Sequence, residues 1–380
     1  MVIAFDTWVF RSSHRHSGIY NYAKNLLAVF RELARANSGI SIRVFHDPGY
    51  SDSAVDLSPS EGVEAIDTPL LQFHRLWQLG GITTAAARAG ADLIFSPTTH
   101  TWSLGSIPVV TTIHDVTPLT SPSFGSVANL LERIRMRNAA KFSVKCITDS
   151  ECSKKDLVAI YQLPPEKVTV AYLGYDRHTF NSSPVDRDGQ RALLDRFGIH
   201  RPYIFHHGAI QPRKNLLRLV RACKELWQKC RDTDFQLVLA GPLGWKYEPV
   251  LAAANEVGVS GKVVLTGPLS DEHLAVLLKG ATLCVIPSLY EGFCLPMVEA
   301  MACGVPTIAS QASCLPEISG GVLRYFDPHA IDDIAATVEE SLCDSSLRQT
   351  LVEQGLKRAA EFSWERCAAQ SLLALRESAN

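Results

Sequence analysis

The chain has 380 residues, 46% of them hydrophobic and 20% charged, with a formal net charge of −2. That length favours two domains and allows a sizeable core. The near-neutral balance argues against the broad basic field of a nucleic-acid binder and leaves a local anion site open. The opening MVIAFDTWVFRSSHRH is broken at Asp6 and does not read as a signal peptide. No run approaches the ~18 apolar residues of a membrane helix. The ten cysteines form no CxxC pair and none precedes Cys146. Scattered in this way they predict a reducing, cytoplasmic setting and not a disulfide framework or zinc site.

In chain order, short apolar runs alternate with amphipathic helical patterns. The first half predicts strands at 2–5, 42–46, 92–96, 108–114, 145–150 and 168–172. Helical segments such as YNYAKNLLAVFRELARA and LLERIRMRNAAKF lie between them. The second half predicts strands at 203–208, 235–241, 262–267, 282–288, 306–310 and 322–326. Continuously apolar strands separated by helices indicate parallel sheets covered on both faces. The polar segment 174–190 reads as the linker, so the fold class is α/β with two doubly wound domains. Their ligands are expected outside the carboxyl ends of the strands, in a cleft between the facing domains.

The segment SLYEGFCLPMVEAMACGVP (288–306) carries two acids, Glu291 and Glu299, eight positions apart. TLCVIPS predicts a buried strand and LYEGFC a loop. Pro296 suits a first helical turn, and Gly304 stops the helix. A glycine-containing loop at a helix start offers free N–H groups and the positive end of the dipole, which together favour an anion such as phosphate. Carboxylates beside it suit sugar hydroxyls. Spacing alone leaves open the alternative that Glu299 merely complements the dipole. In HHGAIQPRKNLLRLV (206–220), Arg213 and Lys214 precede a helix, where cations oppose the dipole. A diphosphate would account for them, and so would a solvated basic corner. His114 ends the strand of TIHDVTPL. It reads as a site residue or as an ordinary rim histidine, with Asp115 as a helper or cap.

EGFCLPMVE resembles the glutamate–seven–glutamate motif of retaining glycosyltransferases of family 4 (GT4), in the two-domain GT-B class. The similarity runs from about Gly18 to Trp364. The resemblance implies a Rossmann-like acceptor-side domain over 1–175 and a nucleotide-sugar-binding Rossmann-like domain over 176–364, with the terminal helix 365–380 packing back on the first. It implies that Glu291 contacts the donor hexose and Glu299 the ribose. The loop of Gly292, Phe293, Cys294 and Leu295 then holds the diphosphate and sugar through its amides. Cys294 stands where the family usually has glycine, so positive φ would be uncomfortable there. PRKN at 212–215 matches a family element in which Arg213 and Lys214 face the departing diphosphate. The resemblance also implies donor contacts at His114 and Gly208, base contacts at Gly267, Pro268 and Leu269, and a weaker donor candidate at Glu317. Ser17 and Gly18 fall in the family's acceptor and phosphate loop, which often has two glycines where this chain has one.

The expected activity is hexosyl transfer with retention, most similar to mannosyltransferases using GDP-mannose, onto a glycan or lipid-linked acceptor. UDP-hexoses, and a catalytically silent glycan-binding or scaffold paralogue, are the alternatives. No metal is expected, because the DxD-like Asp186-Arg187-Asp188 lies in the linker and reads as a solvated turn. No cofactor is expected either, since no GxGxxG or P-loop occurs. Arg133, Arg137 and Lys141 recur every four residues, a stripe that suits either solvent or peripheral contact with an anionic membrane face.

Overall fold

The computed structural model of the protein describes residues 1–11, 18–36, 39–47, 54–102, 105–120, 126–200, 202–229, 235–256 and 258–379. The chain divides into two compact units, Met1–Gly174 with Ser363–Asn380, and Tyr175–Phe362.

The first unit holds β1 (Val2–Phe5), β2 (Ser41–His46), β3 (Val63–Asp67), β4 (Leu93–Ser96), β5 (Val109–Thr112), β6 (Lys145–Thr148) and β7 (Val168–Val170). They form one sheet in the order β3-β2-β1-β4-β5-β6-β7, with every pair parallel. The second unit holds β8 (Tyr203–His207), β9 (Gln236–Ala240), β10 (Val263–Gly267), β11 (Leu283–Ile286), β12 (Thr307–Ser310) and β13 (Arg324–Phe326). Its order is β10-β9-β8-β11-β12-β13, again all parallel. The central strands β4, β5, β8, β11 and β12 are buried at every position. Helices covering both faces require this, and it explains their unbroken apolar runs. In each sheet the chain winds outward from one central strand, then crosses to that strand's other side and winds the opposite way. This creates switch points between β1 and β4 and between β8 and β11, where the flanking loops diverge and leave a crevice.

Phe5, Phe30 and Phe95 pack edge-to-face and tilted at the heart of the first unit. The last helix, Trp364–Ser378, returns to this unit and packs on the helix Gly18–Arg35 and on β6 and β7. Gly174 allows the crossing: a Cβ there would stand 2.2 Å from the Trp364 amide nitrogen. Within the second unit, Arg177 donates to the carbonyls of Ala360 and Phe362 at 2.8 and 2.7 Å and ties that unit's two ends together.

Two local features differ from the sequence reading. β3 is an edge strand whose residues Glu64 to Asp67 are at least partly exposed, so it lacks a buried strand's apolar signature. Asp186-Arg187-Asp188 is solvated as expected, but it is a helix start and not a turn. Asp186 caps the helix Arg187–Phe197 by accepting from the amides of Asp188 and Gly189.

Candidate active site

The loops that follow β8 and β11 meet at the switch point of the second unit. After β8 comes Gly208, at φ 137°, and then a single 3-10 turn, Pro212–Lys214. Asn215 adopts the left-handed conformation and starts the helix Leu216–Lys229. Its side chain is held by the Pro328 carbonyl at 2.8 Å. Arg213 and Lys214 therefore sit in a tight turn ahead of the helix. The Leu289 amide bonds to the Arg213 carbonyl at 2.8 Å and joins the two loops.

Across that join lies Glu291, 5% exposed. Its carboxylate accepts from Lys214 Nζ at 2.7 Å and from Arg213 Nη1, which also donates to the Tyr290 carbonyl at 2.7 Å. Burial alone would push the Glu291 carboxyl up. Arg213 first and Lys214 next outweigh it and hold the group at about 2. Two cations against one anion leave a net positive charge in a site where Lys214 is 6% exposed. Such a charge is screened far less than on the surface, and it favours a further anion. His206 is buried close enough to feel the charges of Lys214 and Glu291. Its Nδ1 donates to the Val285 carbonyl at 2.9 Å. Burial, then the Lys214 charge, lower its pKa to about 3, so the ring is neutral.

The segment after Glu291 turns sharply into the helix Leu295–Ala302. Cys294 is its N-cap at φ 75°, ψ 66°, with no side-chain cap bond, and Pro296 occupies the first turn. A left-handed cysteine costs roughly 1–2 kcal/mol, and such strain collects at functional sites. No acidic residue occupies this helix's first turn. Leu295 and Pro296 are partly exposed, whereas Gly292, Phe293 and Cys294 are buried. The Phe293 ring is wedged edge-on against Phe362 at 5.3 Å. Burial, then Glu291, push the Cys294 thiol up to about 12, which makes it a poor nucleophile.

Glu299 lies one turn further along and is paired differently. His207 Nε2 stands 2.8 Å from Glu299 Oε2. A carboxylate cannot donate, so the ring must carry its proton on Nε2. His207 was not singled out from the sequence, because a histidine inside an apolar strand reads as core. Its place at the end of β8, one residue before a glycine, was the available signal.

Three glycines bring backbone to this edge. The Gly208 amide bonds to the Ala240 carbonyl and the Gly241 amide to the Gly267 carbonyl, both at 2.9 Å. A Cβ on Gly241, at φ +143°, would stand 2.2 Å from the Gly208 oxygen, so only glycine permits this approach. Gly267, Pro268 and Leu269 follow at the end of β10, all at least partly exposed. Glu317 lies in the short helix Leu315–Ile318 after β12.

In the first unit, His114 follows β5 and Asp149 follows β6. His114 Nδ1 and Asp149 Oδ2 are 2.8 Å apart. The Tyr22 ring packs edge-on against the imidazole at 4.8 Å. At the β1–β4 switch point, Asp6 accepts from Trp77 Nε1 at 2.9 Å and from Thr101 Oγ1. Among the described residues these bonds hold the buried carboxylate within its own unit. Gly18 opens the helix Gly18–Arg35, and a Cβ there would meet nothing within 4 Å. Ser17 lies outside the described residues. The helix Ser126–Phe142 exposes Arg133, Arg137 and Lys141 beside Leu130, Ile134 and Phe142. Among the described residues no helix is long and apolar enough to cross a membrane.

The structure thus gathers Arg213, Lys214, Glu291, Gly208 and the 292–295 loop at one switch point, with Glu299 beside it. His114 and Gly18 belong to the other unit.

Comparison with known proteins agrees with this geometry. Residues 196–358 match the model for glycosyl transferases group 1, and residues 22–179 match that for Glycosyltransferase Family 4. The O-antigen chain mannosyltransferase B of Escherichia coli is 30% identical over 265 residues, 69% of this chain and 68% of that protein. The MMP alpha-(1->4)-mannosyltransferase of Mycolicibacterium hassiacum is 34% identical over 62% of this chain and 54% of its own length. Among solved structures, sucrose-phosphate synthase from Thermosynechococcus elongatus superposes with a TM-score of 0.72 at 19% identity, covering 99% and 98% of the two chains. Anabaena Alr3699/HepE in complex with UDP and glucose gives 0.72 at 20% identity, covering 99% of each. At those identities the likeness is one of fold. The family matches, the mannosyltransferase relatives and the two doubly wound sheets agree, and the chain belongs to glycosyltransferase family 4, as a mannosyltransferase-like member with the GT-B fold.

Proposed function

We propose that this hexosyltransferase moves mannose from GDP-mannose to a hydroxyl of a glycan or lipid-linked sugar, with retention and without a metal. The observation that carries the reading is the buried Arg213–Glu291–Lys214 cluster, whose net positive charge faces a helix start free of acids. A donor diphosphate supplies the missing anion. Arg213 and Lys214 then stabilise the charge that develops as the glycosidic bond breaks, the task a divalent cation performs elsewhere. Their attraction to the diphosphate frees Glu291 to share its carboxylate with the hexose. The amides of Phe293, Cys294 and Leu295 hold the diphosphate and sugar. Glu299, held by His207, accepts from the ribose hydroxyls. Gly267 to Leu269 bound the base.

The acceptor oxygen attacks C1 on the face the diphosphate leaves. The C1–O bond to the acceptor forms, the C1–O bond to phosphate breaks, and the leaving phosphate oxygen takes the acceptor's proton. The mannosyltransferase relatives support mannose as the sugar. The UDP complexes among the fold relatives make UDP-hexoses the competing donors. Turnover of a panel of GDP- and UDP-sugars, with EDTA and with anomeric NMR of the product, tests the reading. GDP-mannose turned over best, unaffected by EDTA and with retained configuration, is expected. No turnover or binding of any donor refutes it.

The acceptor side is read as peripheral to an anionic membrane. At ideal helical spacing Leu130, Ile134, Arg137 and Lys141 share one face, with Arg133 beside them. Exposed apolar side chains next to cations suit a headgroup boundary. Co-sedimentation with phosphatidylglycerol vesicles, lost when Arg133, Arg137 and Lys141 become glutamates, is expected. Equal binding by that variant removes this part of the reading.

A further inference from the structure

His114 and Asp149 stand at the ends of adjacent parallel strands, so their side chains leave the sheet side by side. Asp149 is buried, and the His114 side chain is 17% exposed. The Asp149 carboxylate can only accept, so the bond between them fixes a proton on His114 Nδ1. The ring is further confined by Tyr22, edge-on at 4.8 Å. Tyr22 is pinned in turn by Thr112 Oγ1 at 2.9 Å and by the Trp364 ring of the returning helix. With Nδ1 committed, among the described residues Nε2 makes no well-aligned hydrogen bond, and Asp149 Oδ1 makes none either. A buried, rigidly aimed nitrogen left unsatisfied is costly unless a ligand completes it.

We propose that Asp149 is the positioning residue of His114, fixing the imidazole by its Nδ1–H so that Nε2 is aimed at an anionic group of the substrate. The inference rests on reading His114 as a reaction-centre residue of the transferase proposed above.

The surrounding charges support a cationic ring. Burial opposes its charge, but Asp149 and then Asp115 outweigh it and raise the His114 pKa, with the Pro97 carbonyl adding to them. Among the described residues, Tyr22 from the first helix and Cys367 from the last are further titratable neighbours. Burial raises both, so neither supplies a charge at neutral pH. A raised histidine is charged below its own midpoint and loses that charge as pH rises through it. The acid form therefore persists further toward neutrality than in an ordinary histidine, and removing Asp149 moves its loss to lower pH.

The test uses the full chain labelled with 15N-histidine, with the His114 signal identified by its absence in His114→Gln. The neutral wild-type ring is expected to carry its proton on Nδ1 and to titrate above an ordinary histidine. In Asp149→Asn, which keeps an acceptor but removes the charge, the midpoint moves down. An unchanged midpoint, or a neutral ring protonated on Nε2, overturns the proposal. If Asp149→Asn does not fold, the equally uncharged Asp149→Ser is titrated instead, and an unchanged midpoint there overturns it equally. With whichever nucleotide sugar the wild type turns over, Asp149→Asn lowers kcat about a hundredfold, as for other mispositioned groups, with KM within about twofold. Its alkaline limb moves to lower pH, and Asp149→Glu recovers part of the rate. In a His114→Gln background, Asp149→Asn costs nothing more, and an additive loss overturns the proposal. Should the wild type turn over no donor, the transferase reading fails, while the NMR titration still decides this one.

Discussion

Replacing Glu291 with glutamine keeps the shape of the side chain and removes the charge that both Arg213 and Lys214 donate to. The gap between a glutamate's ordinary 4.5 and the value of about 2 held in the fold measures the coupling. At about 1.4 kcal/mol per tenfold, it amounts to roughly 3 kcal/mol, consistent with removing one partner from a buried ionic cluster. The carboxylate's folded value lies below its unfolded one. Its contribution is therefore fully present above about 4.5 and is lost as pH falls toward about 2. Glu291→Gln never has that contribution. Calorimetric unfolding of both proteins should show the variant less stable by about 3 kcal/mol at neutral pH, with the gap closing in acid. The affected transition belongs to the Tyr175–Phe362 unit, because all three residues lie within it. Equal stability at neutral pH, or a gap that does not narrow in acid, refutes the reasoning.

Two further outcomes follow from the same geometry. Cys294→Gly removes a left-handed cysteine at φ 75° and should raise stability by up to about 1 kcal/mol. A loss above about 1 kcal/mol in thermal unfolding would show the buried thiol to matter more than the strain. His207→Ala frees the Glu299 carboxylate from its 2.8 Å partner. GDP binding by calorimetry should weaken about tenfold, the worth of one well-placed hydrogen bond, while inorganic pyrophosphate binding stays within about twofold. Equal losses for both ligands would separate Glu299 from the nucleoside.

Much of the fold was legible because its strands are buried on both faces and so read as unbroken apolar runs. VIAF, DLIFS and FQLVLAG needed no further information. VEAID did not show, because β3 has solvent on its open side and tolerates Glu64 and Asp67 there. The helix start at Cys294 was legible through Pro296 and Gly304, and the expected discomfort of positive φ is met at φ 75°. The ion pairing was not legible. Arg213 and Lys214 lie more than 70 residues from Glu291 in sequence, and only the join of the β8 and β11 loops brings them together. His207 and Asp149 stayed hidden for a related reason. Each ends a strand that its apolar neighbours already explain, and its partner lies on a distant segment. Sequence periodicity registers a residue's own burial. It carries no trace of the side chain that a parallel sheet sets beside it.

Calorimetric titration of GDP into the wild type and Lys214→Ala tests the central claim most directly. The account predicts binding by the wild type and a loss of about tenfold to a hundredfold in the variant, the worth of a charge-assisted contact to phosphate. Unchanged affinity in Lys214→Ala would contradict it and leave the buried cation with a structural role alone.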